Sequence, residues 1–258
     1  AGRENGEAEK FPGREVTLLH PLHPDFPRRI SILQDRQSLP ALLYVRGNIA
    51  ILDSPGVAIV GMRQAGEAAL AAAAALAGDL AARGVNVVSG YAAGIDTAAH
   101  IAALSSGGTT TAVLAEGIHH FQTRPELANH LTVDNILVVS QFDPDARWAG
   151  YMAMTRNKLV GALADALVVI ISGLERGTGG RHSGTFAAAV SALAMGIPVF
   201  AVSPAFFADP PPGNRELIKK GCREWSPAAG VAPLLAALGS PGSKKTPGQL
   251  DLFAKDSH

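Results

Sequence analysis

The chain has 258 residues, 47% of them apolar, which is enough for one good-sized domain with appendages. Its 22 Lys and Arg are matched by 22 Asp and Glu, so anion binding must come from local clusters of cations and not from a basic whole. A single cysteine, Cys222, excludes an intrachain disulfide and a Cys-rich zinc site and points to a reduced, cytoplasmic setting. No apolar run reaches the roughly 20 residues of a membrane span, and the start lacks the apolar stretch of a signal peptide.

Residues 1–15 are charged and Gly-containing and read as a mobile N-terminus. Residues 16–56 read as an irregular lead-in segment packed on the main domain, with one short strand within 42–48. From Val57 an alternation begins. Strands are expected over 57–60, 85–89, 110–115, 136–140, 166–171 and 198–202, with helices over 65–83, 95–104, 152–164 and 184–194. Strands without polar alternation, separated by helices, imply an α/β fold: an extended Rossmann-like, mostly parallel sheet with helices on both faces, over 57–226. Right-handed crossovers line up the loops after the strands along one edge, where ligands of such sheets bind. Residues 227–258 read as a flexible C-terminal tail with a Gly-, Ser- and Pro-rich linker over 239–248.

The loop after the first of these strands, Gly61-Met62-Arg63-Gln64-Ala65-Gly66, is not GxGxxG, and the next strand ends in Ser89-Gly90 where a dinucleotide site would carry an acid. No Walker A loop follows any strand. What remains is an edge with glycines and cations: Gly61, Arg63, Ser89, Gly90, Gly94, Arg124, Arg156, Lys158, Arg176, Arg181 and Gly184. Helix starts and forked guanidinium groups both suit phosphate.

Other residues carry tempting chemistry. Asp96 and His100, four apart, share a helix face and suit either a metal or a base with its orienting acid, but two ligands do not complete a site and Asp96 also reads as a helix cap. His119 and His120 beside Glu116 diverge from one another and read as a solvated loop. His182, Ser183 and Thr185 raise nucleophilic catalysis, against which a Ser at a helix start reads as a phosphate-facing cap. No metal or cofactor is expected.

The texts Leu43-Tyr44-Val45-Arg46-Gly47-Asn48, Ala58-Ile59-Val60-Gly61-Met62-Arg63, Ser89-Gly90-Tyr91-Ala92-Ala93-Gly94-Ile95-Asp96-Thr97-Ala98-Ala99-His100, Thr155-Arg156-Asn157-Lys158 and Gly213-Asn214-Arg215-Glu216-Leu217-Ile218 occur in this order. Together they resemble the DNA-processing A (DprA/Smf) family, over about residues 22–225. The resemblance implies a Rossmann-like domain that binds single-stranded DNA, helps load the RecA recombinase during natural transformation, pairs into a homodimer and is not an enzyme. By resemblance Arg63 is the main phosphate contact, Arg124 sits near a second basic position, and Arg156, Asn157 and Lys158 match a later motif; Gly61, Ser89, Gly90, Gly94 and Arg181 complete the expected DNA-binding set. Met62, Ala93 and Lys158 stand where the family has Ser, Arg and Arg. The alternative is a nucleotide-binding or phosphoribohydrolase-like protein, whose Gly-rich loop is echoed over 177–185 with Glu175 nearby. In the tail, Gln249-Leu250-Asp251-Leu252-Phe253 resembles the pentapeptide by which bacterial proteins dock on the DNA polymerase sliding clamp, where burying Leu252 and Phe253 is worth roughly 1.5 to 3 kcal/mol each.

Overall fold

In the computed structural model, which describes residues 15–37, 39–176 and 182–238, the apolar strands form one nine-stranded sheet. In chain order these are β1 (Thr17–Leu19), β2 (Leu43–Gly47), β3 (Gly56–Val60), β4 (Asn86–Gly90), β5 (Thr110–Val113), β6 (Ile136–Ser140), β7 (Ala166–Val169), β8 (Val199–Val202) and β9 (Arg223–Trp225). Their spatial order is β1-β2-β6-β5-β4-β3-β7-β8-β9. All seven strands from β3 onward run parallel, while β2 lies antiparallel to both β6 and β1. The strand order reverses at β3, which pairs β4 on one side and β7 on the other, so the loops after β3 and β7 flank the crevice where such sheets take ligands.

Successive strand residues point to opposite faces. Val57 and Ile59 of β3 join the core under α2 (Glu67–Ala81) and α3 (Ile95–Ser105). Ala58 and Val60 join the opposite core under α5 (Gly150–Ala162) and α6 (Gly184–Ala194). Both faces of the parallel strands are therefore buried, which is why they carry no polar alternation. Alanines at 69, 72, 73 and 77 of α2 are buried, as are Ala99 and Ala103 of α3; small side chains let the two helices approach closely over one face.

The lead-in segment is more regular than its sequence suggests. It supplies β1, the helix α1 (Arg28–Gln37) and β2, which extend the sheet beyond β6 by buried Leu19, Leu43 and Val45. Phe26 and Ile30 of this segment enter the core shared with α5 and α6. At the opposite, amino-terminal edge of the sheet Arg29 donates to the Ala164 carbonyl and to Asp165, whose second oxygen accepts from the Gly56 amide at 2.9 Å. That one carboxylate ties the lead-in to the starts of β3 and β7.

The C-terminal boundary also differs from expectation. Residues 227–238, read as the start of a flexible tail, contain α8 (Ala232–Ala237), and Val231 and Leu234 are buried against β8 and β9 residues. Trp225 donates its indole N–H to the Gly230 carbonyl at 2.9 Å. Two buried apolar side chains, five and eight residues past the expected boundary at 226, are enough to anchor it. Gln249 to Phe253 and Arg181 lie outside the described residues. Among those described, no helix is long and apolar enough to cross a membrane.

The helices α4 (Pro125–Ala128) and α7 (Pro212–Lys219) complete the fold, and α7 carries a fully buried asparagine. Asn214 donates to the Ile170 and Val202 carbonyls, each at 2.9 Å, and accepts from the Ser172 amide at 2.8 Å. It fastens the carboxyl ends of β7 and β8 where no further ladder bond is available. Asn214→Ala leaves these backbone groups unpaired in the core, so urea unfolding should show a loss of about 2 to 5 kcal/mol with an unchanged denaturant slope. An unaltered midpoint would remove this role.

Candidate nucleic-acid interface

β3 delivers Gly61, Met62 and Arg63 to the crevice, and the Met62 amide donates to the Ile171 carbonyl at 3.2 Å, so the loop is tied to the chain leaving β7. β4 delivers Ser89 to Gly94 beside it. Gly94 caps α3 with φ +79°, and a Cβ there would stand 2.3 Å from the Arg63 carbonyl oxygen. A glycine is required both for the left-handed backbone and for that approach. The result locks the Arg63 loop onto the start of α3, with Gly61 packed against the Ile95 side chain.

The centre of the site is buried. Arg156, from α5, is 6% exposed and Asp96, in the first turn of α3, 7%. The guanidinium Nη1 lies 3.9 Å from the Asp96 carboxylate, and the Ala92 amide donates to the same oxygen at 3.4 Å. Arg156 passes so close over Gly90 that a Cβ at that position would fall 1.4 Å from Nη1. Burial raises the Asp96 carboxyl above its usual range, with Arg156 opposing it; burial likewise lowers the Arg156 guanidinium, with Asp96 opposing. Asp96 stands in the first turn of α3, where the helix dipole favours its negative charge. The Arg156 Nε has no hydrogen-bond partner among the described residues.

His100 sits beneath this pair. Burial holds its imidazole down to about 4, so the ring is neutral at pH 7 and carries one N–H. The Gly90 carbonyl, 2.7 Å from Nε2, can only accept, which places the proton on Nε2; the Thr110 hydroxyl lies 2.6 Å from Nδ1 and 2.7 Å from the Val87 carbonyl, and its single proton serves one of these two acceptors. Both ring nitrogens are thus used within the fold. Asp96 and His100 share a helix face as expected, but one pairs with Arg156 and the other with Gly90 and Thr110. Among the described residues, no group of three or more His, Cys, Asp or Glu gathers as a metal site.

Arg124 approaches from the loop before α4. It donates from Nη2 to the Tyr91 carbonyl at 2.8 Å, its amide donates to the Tyr91 hydroxyl at 3.0 Å, and its guanidinium lies 4.8 Å from the Tyr91 ring centre. Burial raises the Tyr91 phenol, with Arg124 opposing. Tyr91 stacks at an angle on Phe121 and His100, so this second cation is coupled to the first cluster through one aromatic ring.

The expected DNA-binding residues therefore divide. Gly61, Arg63, Gly90, Gly94 and Arg156 surround Asp96, and Arg124 joins them through Tyr91. Arg63 is exposed and makes no ion pair or hydrogen bond through its side chain among the described residues. Arg156 is buried, which changes its expected place at the surface to one within the wall. Ser89 is fully buried and donates to the Ile59 carbonyl at 2.7 Å, so its hydroxyl holds strands together beneath Asp96 and is not exposed to a ligand. Asn157 donates to the Gly184 carbonyl at 3.0 Å and ties α5 to the start of α6. Lys158, two residues past Arg156 and so on another face of α5, borders a groove of about 300 Å³ with Glu175, His182, Ser183 and Phe186.

The residues of the nucleotide-hydrolase alternative are engaged by the fold. Glu175 lies 3.8 Å from the Lys220 ammonium, and the Ser183 hydroxyl caps α6 by accepting from the Phe186 amide at 3.2 Å. Two contributors escaped the sequence reading. Asp96 as the partner of Arg156 has no local signal, since α3 and α5 lie on opposite faces of the sheet and the two side chains meet only at the end of β4, over Gly90. The role of Tyr91 was open to notice, because an aromatic directly after the Ser-Gly strand end must lie at the loop edge.

The description of DNA recombination-mediator protein A fits residues 17–232. A DNA processing protein A assigned provisionally in Mycobacterium tuberculosis is 35% identical over 201 residues, which are 77% of this chain and 50% of that protein; the chain spans about half the length of that relative. The X-ray structure of DNA processing protein A from Streptococcus pneumoniae superposes with a TM-score of 0.73 at 26% identity, covering 86% of this chain and 74% of the other. DNA processing protein A from Helicobacter pylori, whose structure describes a unique single-stranded DNA binding mode, gives a TM-score of 0.68 at 25% identity over 86% of this chain and 96% of the other.

The neutral, buried state of His100 makes a pH prediction. Its folded pKa lies below the unfolded value of 6.5, so its contribution to stability is present above pH 6.5 and is lost as pH falls through about 4. The loss should reach roughly 3 kcal/mol over that window. His100→Gln keeps polar partners for Gly90 and Thr110 without titrating, and should flatten the slope of unfolding free energy against pH between these values. An equal slope in both proteins would show that His100 titrates normally.

Proposed function

The chain belongs to the DNA recombination-mediator protein A (DprA/Smf) family, and from this we propose that the carboxyl edge of its sheet binds single-stranded DNA through phosphate contacts and without turnover. The observation that carries the reading is Arg63: an exposed guanidinium without an ion-pair partner among the described residues, held at the crevice by the loop that Gly94 locks. A forked donor in that position suits a phosphate oxygen pair. The neighbouring cation, Arg156, is compensated by Asp96, which leaves the outer guanidinium as the group free to take an external anion. The Helicobacter pylori protein's single-stranded DNA binding mode supports the choice of ligand.

Binding in place of catalysis is supported by how the reactive side chains are used. Asp96, His100, Ser183 and Glu175 each serve a pairing or cap within the fold. The finer partners belong to the same proposal: RecA recombinase, a second copy of the chain, and the sliding clamp through Gln249 to Phe253. Capture on immobilised clamp that survives deletion of 249–253 would remove the last of these.

Fluorescence anisotropy with a labelled oligonucleotide over a salt series tests the DNA reading. Affinity should fall linearly with salt on logarithmic axes, and Arg63→Ala should cost about tenfold and lower the slope by about 0.7, the value for one phosphate on a single strand. The oligonucleotide should be recovered intact, and nucleoside monophosphates should neither compete at similar concentration nor release free base. Unchanged affinity and slope in Arg63→Ala would move the site elsewhere.

A further inference from the structure

Most of the large apolar side chains are buried, yet several of those left exposed gather at one place. Trp148 is 53% exposed, Tyr151 69% and Met154 37%. Trp148 closes the loop from β6 to α5, and Tyr151 stands in the first turn of α5, the end of that helix at the carboxyl edge of the sheet. Along α5 the residues Tyr151, Met154, Thr155 and Lys158 are all exposed, at spacings of three, four and seven, so they form one stripe on the helix. Met152 and Arg156, on the other side of the same helix, are buried. The stripe thus leads from two exposed aromatic rings to a lysine.

The charges around it are mixed but favour an anion. Arg147 adjoins Trp148 and is exposed, Lys158 ends the stripe, and exposed Arg63 leaves the neighbouring crevice. The acids of the same loop are Asp143 and Asp145, and Asp145 is paired at 2.9 Å with His119. Two exposed aromatic faces between cations satisfy the chemistry of a ligand that alternates flat π-systems with phosphates. They would gain nothing from a duplex, whose bases are stacked on one another and closed to side chains.

Resting on the DNA reading above, we infer that Trp148 and Tyr151 are a stacking surface for unpaired bases, which makes single-stranded DNA the preferred form of the ligand. The phosphates follow the cations and the bases lie on the rings. Stacking on an aromatic side chain accepts any base, so the surface selects strandedness and not sequence.

The chain contains two tryptophans, and the other, Trp225, is 4% exposed. Both tryptophans emit, but quenching by a bound strand therefore reports on Trp148, the one that a ligand can touch. Adding oligo-dT to the full chain should quench the emission of the wild type, and this quenching should vanish in Trp148→Phe. Trp148→Ala and Tyr151→Ala should each weaken oligo-dT binding about tenfold or more, with the melting temperature and the salt slope unchanged, because no charge is removed. Tyr151→Phe should bind as the wild type does. The inference is overturned if both alanine variants bind normally, if no quenching occurs, or if an abasic strand with the same phosphates binds as tightly as oligo-dT. Weak binding by Arg63→Ala alongside normal binding by the aromatic variants would sink the stacking surface alone. A wild-type protein that binds neither strand form at low salt would sink the DNA reading with it.

Discussion

A guanidinium and a carboxylate buried together at the mouth of the sheet constrain almost everything around them. Taking either charge out of water alone costs several kcal/mol, so Arg156 and Asp96 tolerate burial only as a pair, and breaking one leaves the other stranded. The pair has room because residue 90 lacks a Cβ. Asp96 is in reach because α3 begins where Gly94 turns the chain, and that turn in turn presses on the carbonyls of Met62 and Arg63. The β3, β4 and α5 contributions to the crevice are thereby a single unit, and a change in any one is felt by the other two.

This arrangement separates two kinds of cation. The inner guanidinium is neutralised by a carboxylate of the chain itself and sets the shape of the wall. The outer one, Arg63, is exposed, and among the described residues its guanidinium makes no hydrogen bond or ion pair. Arg124 is intermediate, spread over the Tyr91 ring and donating to its carbonyl, so part of its hydrogen-bonding capacity is already committed. A chain with no net charge can present an unneutralised cation at this edge in this way, because Asp96, the acid at the centre of the crevice, is buried against Arg156.

How much of this could be read from the amino acids follows from the range of each signal. The parallel strands and the helices between them were legible, since an uninterrupted apolar run such as Val57 to Val60 reports burial on both faces wherever it sits. Short elements were not: the three residues of β1 carry one buried side chain, too little for any period, and α8 is announced only by Val231 and Leu234. The site was legible as a collection of residue types after successive strands. Its division into wall and surface was not, because Ser89, Asn157 and Arg156 differ from Arg63 only in which distant backbone or carboxylate they meet. In the sequence Asp96 reads as a cap, but the cap of α3 is Gly94 with no side-chain bond; Asp96 stands in the first turn and instead meets a guanidinium that arrives from another helix.

The two strands that end the sheet, β1 and β9, are three residues long each. A free strand border is a template on which another polypeptide can extend the sheet, and its strength grows with the number of unpaired amides and carbonyls it offers. Here that template is a stub at both ends. A sheet nine strands wide therefore offers only short borders for growth by backbone pairing.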